Sequence, residues 1–322
     1  MRSLRCALIA LGFLIACAQA SWAHGLHIVE YPIPTPNAVA GYIAAEPDGN
    51  IWFTERNGAK VARITPQGVI TEFRPVPHPG AGYAGITTGP NNDIWFIIPT
   101  YFNLASLVVE MSTSGKLVHK YQVPFSNGDV VRGPDGDLWF DLNSDTGVGK
   151  MTPGGTVTHF PATTQAVSIA VGPDNNIWFT EVGSDPTSGL IGRVDQFGAV
   201  TEFKPPLALA DPGGIIGEPN GSLYFSDGIH GAMGRIDAKT GQIKRVGAFT
   251  ACYVNEPPSH MWYWPVRNTG PEELESVNVF TGIVRDRFQF PHGTMGCPFA
   301  LGADGNLWFI DFNDNSIGVL KH

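Results

Sequence analysis

Three histidines, His78, His230 and His292, fall in segments where a loop could present an imidazole, and carboxylates recur three residues after a large aromatic at Glu55, Glu181, Asp227 and Asp311. An imidazole titrates near neutral pH, so each of the three could move a proton; His292 and His230 are the candidate bases. Carboxylates that converge on one rim could hold a hard cation through oxygen, which makes Glu181 and Asp227 the candidate metal ligands. The same acids admit a second reading. A carboxylate that recurs with a repeat also serves to accept hydrogen bonds from backbone donors of its own loop. Tyr83, Tyr253 and Trp264, together with His78, are the candidate ligand contacts. His119 and His159 fall in segments that would face solvent, His260 in a tight turn, and His24, His27 and His322 near the termini. No GxSxG, HExxH, CxxC or phosphate-cradling loop occurs, so local spacing defines no single reaction.

The scaffold for these residues is written in a repeat. Seven times a Gly, Pro, Asp or Asn turn runs into an apolar residue, a large aromatic and usually Phe, with anchors at Trp52, Trp95, Trp139, Trp178, Tyr224, Trp262 and Trp308, about 43 residues apart on average. That period predicts one four-stranded unit per copy and therefore an all-β, seven-bladed propeller. In the fourth copy, alternation and turn residues predict strands at about 167–171, 177–180, 190–194 and 199–203. After Trp308 the chain has room for a third strand, Ser316–Lys321, and no fourth. His27–Pro32 has the character of an outermost strand, so it is predicted to join the last blade and close the ring. Residues 24–322 form one domain on this reading, although 322 residues alone would suggest two. Loops between second and third strands, with those leading to the next inner strand, would ring a ligand funnel on one face.

Composition narrows the partners. A formal charge of −9 with no basic stripe speaks against nucleic acid. Residues 1–23 read as an export signal: Arg2 and Arg5 precede an apolar run too short to span a bilayer, and small residues follow at Ala18-Gln19-Ala20 and Ser21-Trp22-Ala23. Cleavage there predicts a periplasmic or secreted monomer with no transmembrane segment. Leu14-Ile15-Ala16-Cys17 also resembles a lipobox, which would make the product a lipoprotein through Cys17. Signal removal leaves Cys252 and Cys297, each at the start of an inner strand in adjacent blades; they are either a bridge stapling blades six and seven or two buried thiols.

The segments GPDNNIWFTE, IGRVDQFG and VTEFKPP, with EPDGNIWFTE and VARITPQGVITEFRPVP, resemble the streptogramin B lyase (virginiamycin B lyase) family over essentially the whole chain from Leu26. The resemblance implies a seven-bladed fold and a Mg2+-assisted elimination that opens a cyclic depsipeptide at its ester, a base removing the proton beside a carbonyl. It also implies histidines and a tyrosine at the start of inner strands, about eleven residues before the anchor. Here those positions are Gly41, Ala84, Gly128, Val167, Gly213, Ala251 and Cys297. Pro291-His292-Gly293 has the implied tripeptide but stands sixteen residues before Trp308, and Phe290 occupies the place of the implied metal-binding Glu. The expectation is therefore a non-catalytic binding or scaffold propeller for a small-molecule or peptide-like ligand; the alternative is a Mg2+-dependent carbon–oxygen lyase using His292 or His230.

Overall fold

The computed structural model describes residues 26–77, 82–100, 105–126, 128–142, 145–185, 187–247, 249–256, 260–265, 273–278, 280–281, 283–289 and 296–321, the stretches 249–256, 264–265 and 296–297 by backbone alone. The chain forms seven four-stranded antiparallel sheets. In blade four the strands are Gln165–Val171, Ile177–Val182, Leu190–Val194 and Val200–Phe203, in that order from axis to rim. Each inner strand touches that of the next blade all the way round, and the last, Gly296–Leu301, meets the first, Ala40–Ala45. Among the described residues the one helix is a single 3-10 turn, Leu207–Leu209, and none is long and apolar enough to cross a membrane.

Closure is as the sequence predicts. His27–Pro32 pairs antiparallel with Ser316–Lys321, His27 opposite Lys321 and Pro32 opposite Ser316. The chain beyond is held by Asn315, which adopts a left-handed φ of 50°. Its Nδ2 donates to the carbonyls of Ile33 (3.3 Å) and Thr35 (3.0 Å), and its Oδ1 accepts from Ala38 N at 2.8 Å.

The repeat motif has a packing explanation at each position. The turn Asp accepts the indole N–H of its own anchor, Asp48 from Trp52 (3.1 Å), Asp174 from Trp178 (2.9 Å) and Asp304 from Trp308 (3.3 Å). The next turn residue takes a left-handed φ and is Gly49, Gly136 or Gly305 in some blades and Asn92 or Asn175 in others, the residue types that tolerate it. Outer-strand aromatics stack on the anchors: Phe73 on Trp52, Phe160 on Trp139, Phe203 on Trp178. Tyr31 of the closing strand stacks on Trp308 at 6.2 Å between centroids, so the closing strand fills the same packing role as the outer strands of blades one to four. Arg63 and Arg193 lay guanidinium groups over Trp52 and Trp178 at 5.6 and 5.5 Å. All seven anchors are buried. Trp178→Ala, which empties a fully buried wedge between blades four and five, is expected to cost about 4 kcal/mol in chemical denaturation; a loss below about 1 kcal/mol would show that the wedge is not filled as described.

Candidate functional site

The acids that recur after the anchors lie on one face, where second strands end and inner strands begin. They lie at the last or, for Glu181, the next-to-last position of their strands rather than in the loops, and they are buried. Burial is tolerated because most accept hydrogen bonds from the segment leading into their own blade. Glu181 Oε2 accepts from Thr164 N (2.9 Å) and Thr164 Oγ1 (3.2 Å). Asp141 Oδ1 accepts from Ser126 Oγ (2.7 Å), Gly128 N (3.2 Å) and Asp129 N (2.9 Å). Asp227 Oδ2 accepts from Asp211 N at 3.0 Å. Asp311 Oδ1 accepts from Asn313 N (2.8 Å) and Asp314 N (3.3 Å). Glu55 sits beside Thr35, Glu72 and Lys60; burial pushes its carboxyl up to about 7, and burial does the same for Glu181.

Inner strands bend at this face. In five blades the register slips at their start, between Ala40 and Ile43, Ala166 and Ser168, Pro212 and Ile215, Phe249 and Tyr253, and Gly296 and Phe299. The skipped residues include Gly41, Val167, Gly213, Ala251 and Cys297. A bulge releases a residue from the ladder and re-aims it, so the position eleven before each anchor is the one these blades turn aside. Val167, the one of these with a described branched side chain, is 37% exposed. Next to Gly128, Asp129 Oδ2 accepts from Ile169 N of the adjacent blade at 2.9 Å, and Ser168 Oγ accepts from Ile215 N of the blade after that at 3.3 Å. Burial pushes the Asp129 carboxyl up from its ordinary range. Sequence reasoning passed over Asp129; its place beside an eleven-before-anchor position was the available signal.

Of the candidate residues, His230 is fully placed. Its Nδ1 lies 2.8 Å from Asp227 Oδ1, which also accepts the His230 backbone N–H at 2.6 Å. The Asp227 side chain is wholly buried while the imidazole is 41% exposed, an imidazole oriented by a carboxylate and open on its other edge. Tyr83, expected as a ligand contact, is instead a core residue: it is fully buried, its hydroxyl donates to the Val76 carbonyl, and its ring lies 5.0 Å from Phe96. A phenol that finds a backbone acceptor inside the core has no reason to face water. Tyr253 lies opposite Tyr263 within the inner ladder of blade six, and Trp264 lies in the strand His260–Pro265, whose first residue is His260 rather than a turn position. The side chains of Tyr253, Trp264, Cys252 and Cys297, like the whole of His78, His292, Cys17 and the segment 1–23, lie outside the described residues.

Glu181 lies beside Glu202, but among the described residues neither Glu181 nor Asp227 belongs to a group of three side chains able to share an ion. Among the described residues the group of three side chains able to share an ion is Glu30, Asp311 and Asp314, with one oxygen of each within 4.8 Å of the others. Glu30 comes from the closing strand and was not singled out in the sequence; its match to Glu72 and Glu202, which occupy the same place in outer strands of blades one and four, was the missed signal.

A profile of the virginiamycin B lyase family matches residues 18–247, through the end of blade five. The chain belongs to the virginiamycin B lyase family. It is 27% identical over 185 residues to a virginiamycin B lyase of Nocardia farcinica, a match that spans 60% of that relative's length. A streptogramin B lyase structure superposes with a TM-score of 0.75 at 26% identity, covering 92% of this chain and 97% of that one. Virginiamycin B lyase from Staphylococcus aureus superposes equally well, at 0.75 with 22% identity, covering 92% and 99%. A catalytically inactive histidine-to-alanine variant of the Staphylococcus enzyme, with quinupristin, superposes at 0.74 with 21% identity.

Proposed function

We propose that this chain is an exported, non-catalytic member of its family that binds a small-molecule or peptide-like ligand at the face where the inner strands begin. One observation carries the reading: the seven positions at which the family resemblance implies imidazole or phenol groups hold Gly41, Ala84, Gly128, Val167, Gly213, Ala251 and Cys297. Without a base beside the bound ester, elimination loses its first step, whereas binding needs only a shaped and polar surface. Incubation with quinupristin and Mg2+, followed by mass spectrometry, is expected to return the cyclic compound unchanged. Metal-dependent appearance of the ring-opened product would overturn the proposal.

A second reading has support of its own from the His230–Asp227 pair. A buried carboxylate fixes the ring through Nδ1, which leaves Nε2 as the nitrogen to take a proton from a ligand. The ion implied by the family has a fitting place in Asp311, whose buried Oδ2 has no hydrogen-bond partner; with Asp314 and Glu30 it would hold Mg2+ through hard oxygen ligands. Bound there, the ion would supply positive charge to a developing enolate. His230→Ala separates the two readings: it abolishes turnover on the second and leaves nothing to abolish on the first.

A further inference from the structure

Where the ring closes, a cleft of about 180 Å3 opens between the loop after the closing strand and the last hairpin of blade seven. Its floor carries Asp311, 1% exposed, with Oδ1 satisfied by two backbone N–H groups and Oδ2 buried without a partner. Ser316, opposite Asp311 in the ladder, has a buried hydroxyl that is also without a partner. A buried carboxylate oxygen left unpaired is costly, and the fold supplies it with no donor. Asp314 and Glu30 bring two further carboxylates within 4.8 Å of it from outside the cleft lining, which adds to the negative charge around Asp311.

The walls are apolar. Ile33 and Ala40 are buried, while Val39 and Phe312 remain 42% and 47% exposed. Val39 has a φ of +48°, a left-handed conformation that a β-branched side chain disfavours. The strain is held in place from both sides: Arg56 N donates to Val39 O at 3.1 Å, Asn57 N to Ala38 O at 3.0 Å, and Ala38 N to Asn315 Oδ1 at 2.8 Å. A strained backbone fixed by its neighbours so that an apolar side chain stands at a cleft is the usual mark of a preformed binding wall.

We propose that this cleft binds an organic amine, its ammonium on Asp311 and a compact apolar body between Val39 and Phe312. The assignment rests on the ligand-binding part of the proposed function, with the ligand's own cation rather than a metal satisfying Asp311. A cavity of about 150 Å3 accommodates benzene, so the volume here suits a phenyl or branched alkyl group. The charge on the floor selects the ligand class: a neutral alcohol can give Oδ2 a hydrogen bond but leaves its charge uncompensated, and an anion is repelled by the Asp311 carboxylate. Phe312 adds an aromatic face for the cation. A bare divalent ion would neutralise the acids but leave the two apolar walls without a role.

The test is calorimetric titration of the full mature chain with 2-phenylethylamine, 2-phenylethanol and phenylacetate. Saturable binding of the amine, at least tenfold tighter than the alcohol and with no detectable binding of the acid, is expected. Asp311→Asn, which keeps an acceptor for Asn313 and Asp314, is expected to weaken amine binding tenfold or more, and Phe312→Ser, at an exposed position, severalfold. Equal affinity for amine and alcohol, absence of saturable binding, or displacement of the amine by millimolar Mg2+ would each overturn the proposal. Ring opening of quinupristin with amine binding intact would sink the non-catalytic reading and leave the cleft assignment standing.

Discussion

A chain that begins at Ile33, lacking the closing strand, is expected to lose its cooperative thermal transition or to melt at least about 10 °C lower than the full domain. Three losses combine. Ser316–Lys321 would become an unpaired edge with Ile317, Val319 and Leu320 buried beneath it. Trp308 would lose the stacked ring of Tyr31. Leu26, Ile28 and Val29, which pack against the buried clusters at the seam, would no longer cover them. Circular dichroism melts of the two chains measure the effect, and Tyr31→Ala, which keeps the strand and removes the ring, should fall between them. A truncated chain melting within about 2 °C of the full one would show that the seam contributes little.

Acidification is expected to stabilise this protein. Glu46 and Glu218 occupy the turn position that is Gly in blades two, three, four and seven, and burial pushes both carboxyls up to about 8. Neither side-chain oxygen of Glu46 finds a hydrogen-bond partner, and one oxygen of Glu218 also lacks one, so the neutral acid is the form that suits the interior. A folded-state value above the unfolded one means that the folded chain holds the extra protons. The associated stability is complete below about 4.5 and is lost as pH rises towards 8. For each of the two the slope is at most about 1.4 kcal/mol per pH unit, and Glu55 and Glu181 act in the same direction up to about 7. Below that window Glu72 and Asp135, whose carboxyls are held low by Lys60 and Lys150, oppose the trend. The melting temperature should therefore be highest near pH 5 and fall steadily to pH 8, and Glu46→Gln with Glu218→Gln should flatten the fall. A melting temperature that rises from pH 5 to pH 8 would refute the assignment.

The blades were readable from the chain because each repeat residue has a local partner. Asp174 holds Trp178 four residues on, Phe203 stacks on that same indole, and Asn175 tolerates the left-handed turn between them. The rim strands of blades one, three and four end at Phe73, Phe160 and Phe203, because the prolines that follow within two residues have no N–H to continue the ladder. The site was less readable. Glu181 and Asp227 are described by the second of their two sequence readings, as acceptors for their own blade's backbone, and that choice depends on where Thr164 and Asp211 stand in space. The cleft was invisible for a different reason: Val39 and Phe312 lie at opposite ends of the sequence, and neither the strain of Val39 nor the unsatisfied oxygen of Asp311 has a compositional signature.

Because His27 lies opposite Lys321, the strand synthesised first must wait for the strand synthesised last. Until these two strands meet, the folding chain is an arc with two raw ends, and the pairing that joins them spans almost the whole polypeptide. Ring closure should then be the slow step of maturation, and nascent arcs should depend on holding chaperones to avoid joining one another end to end.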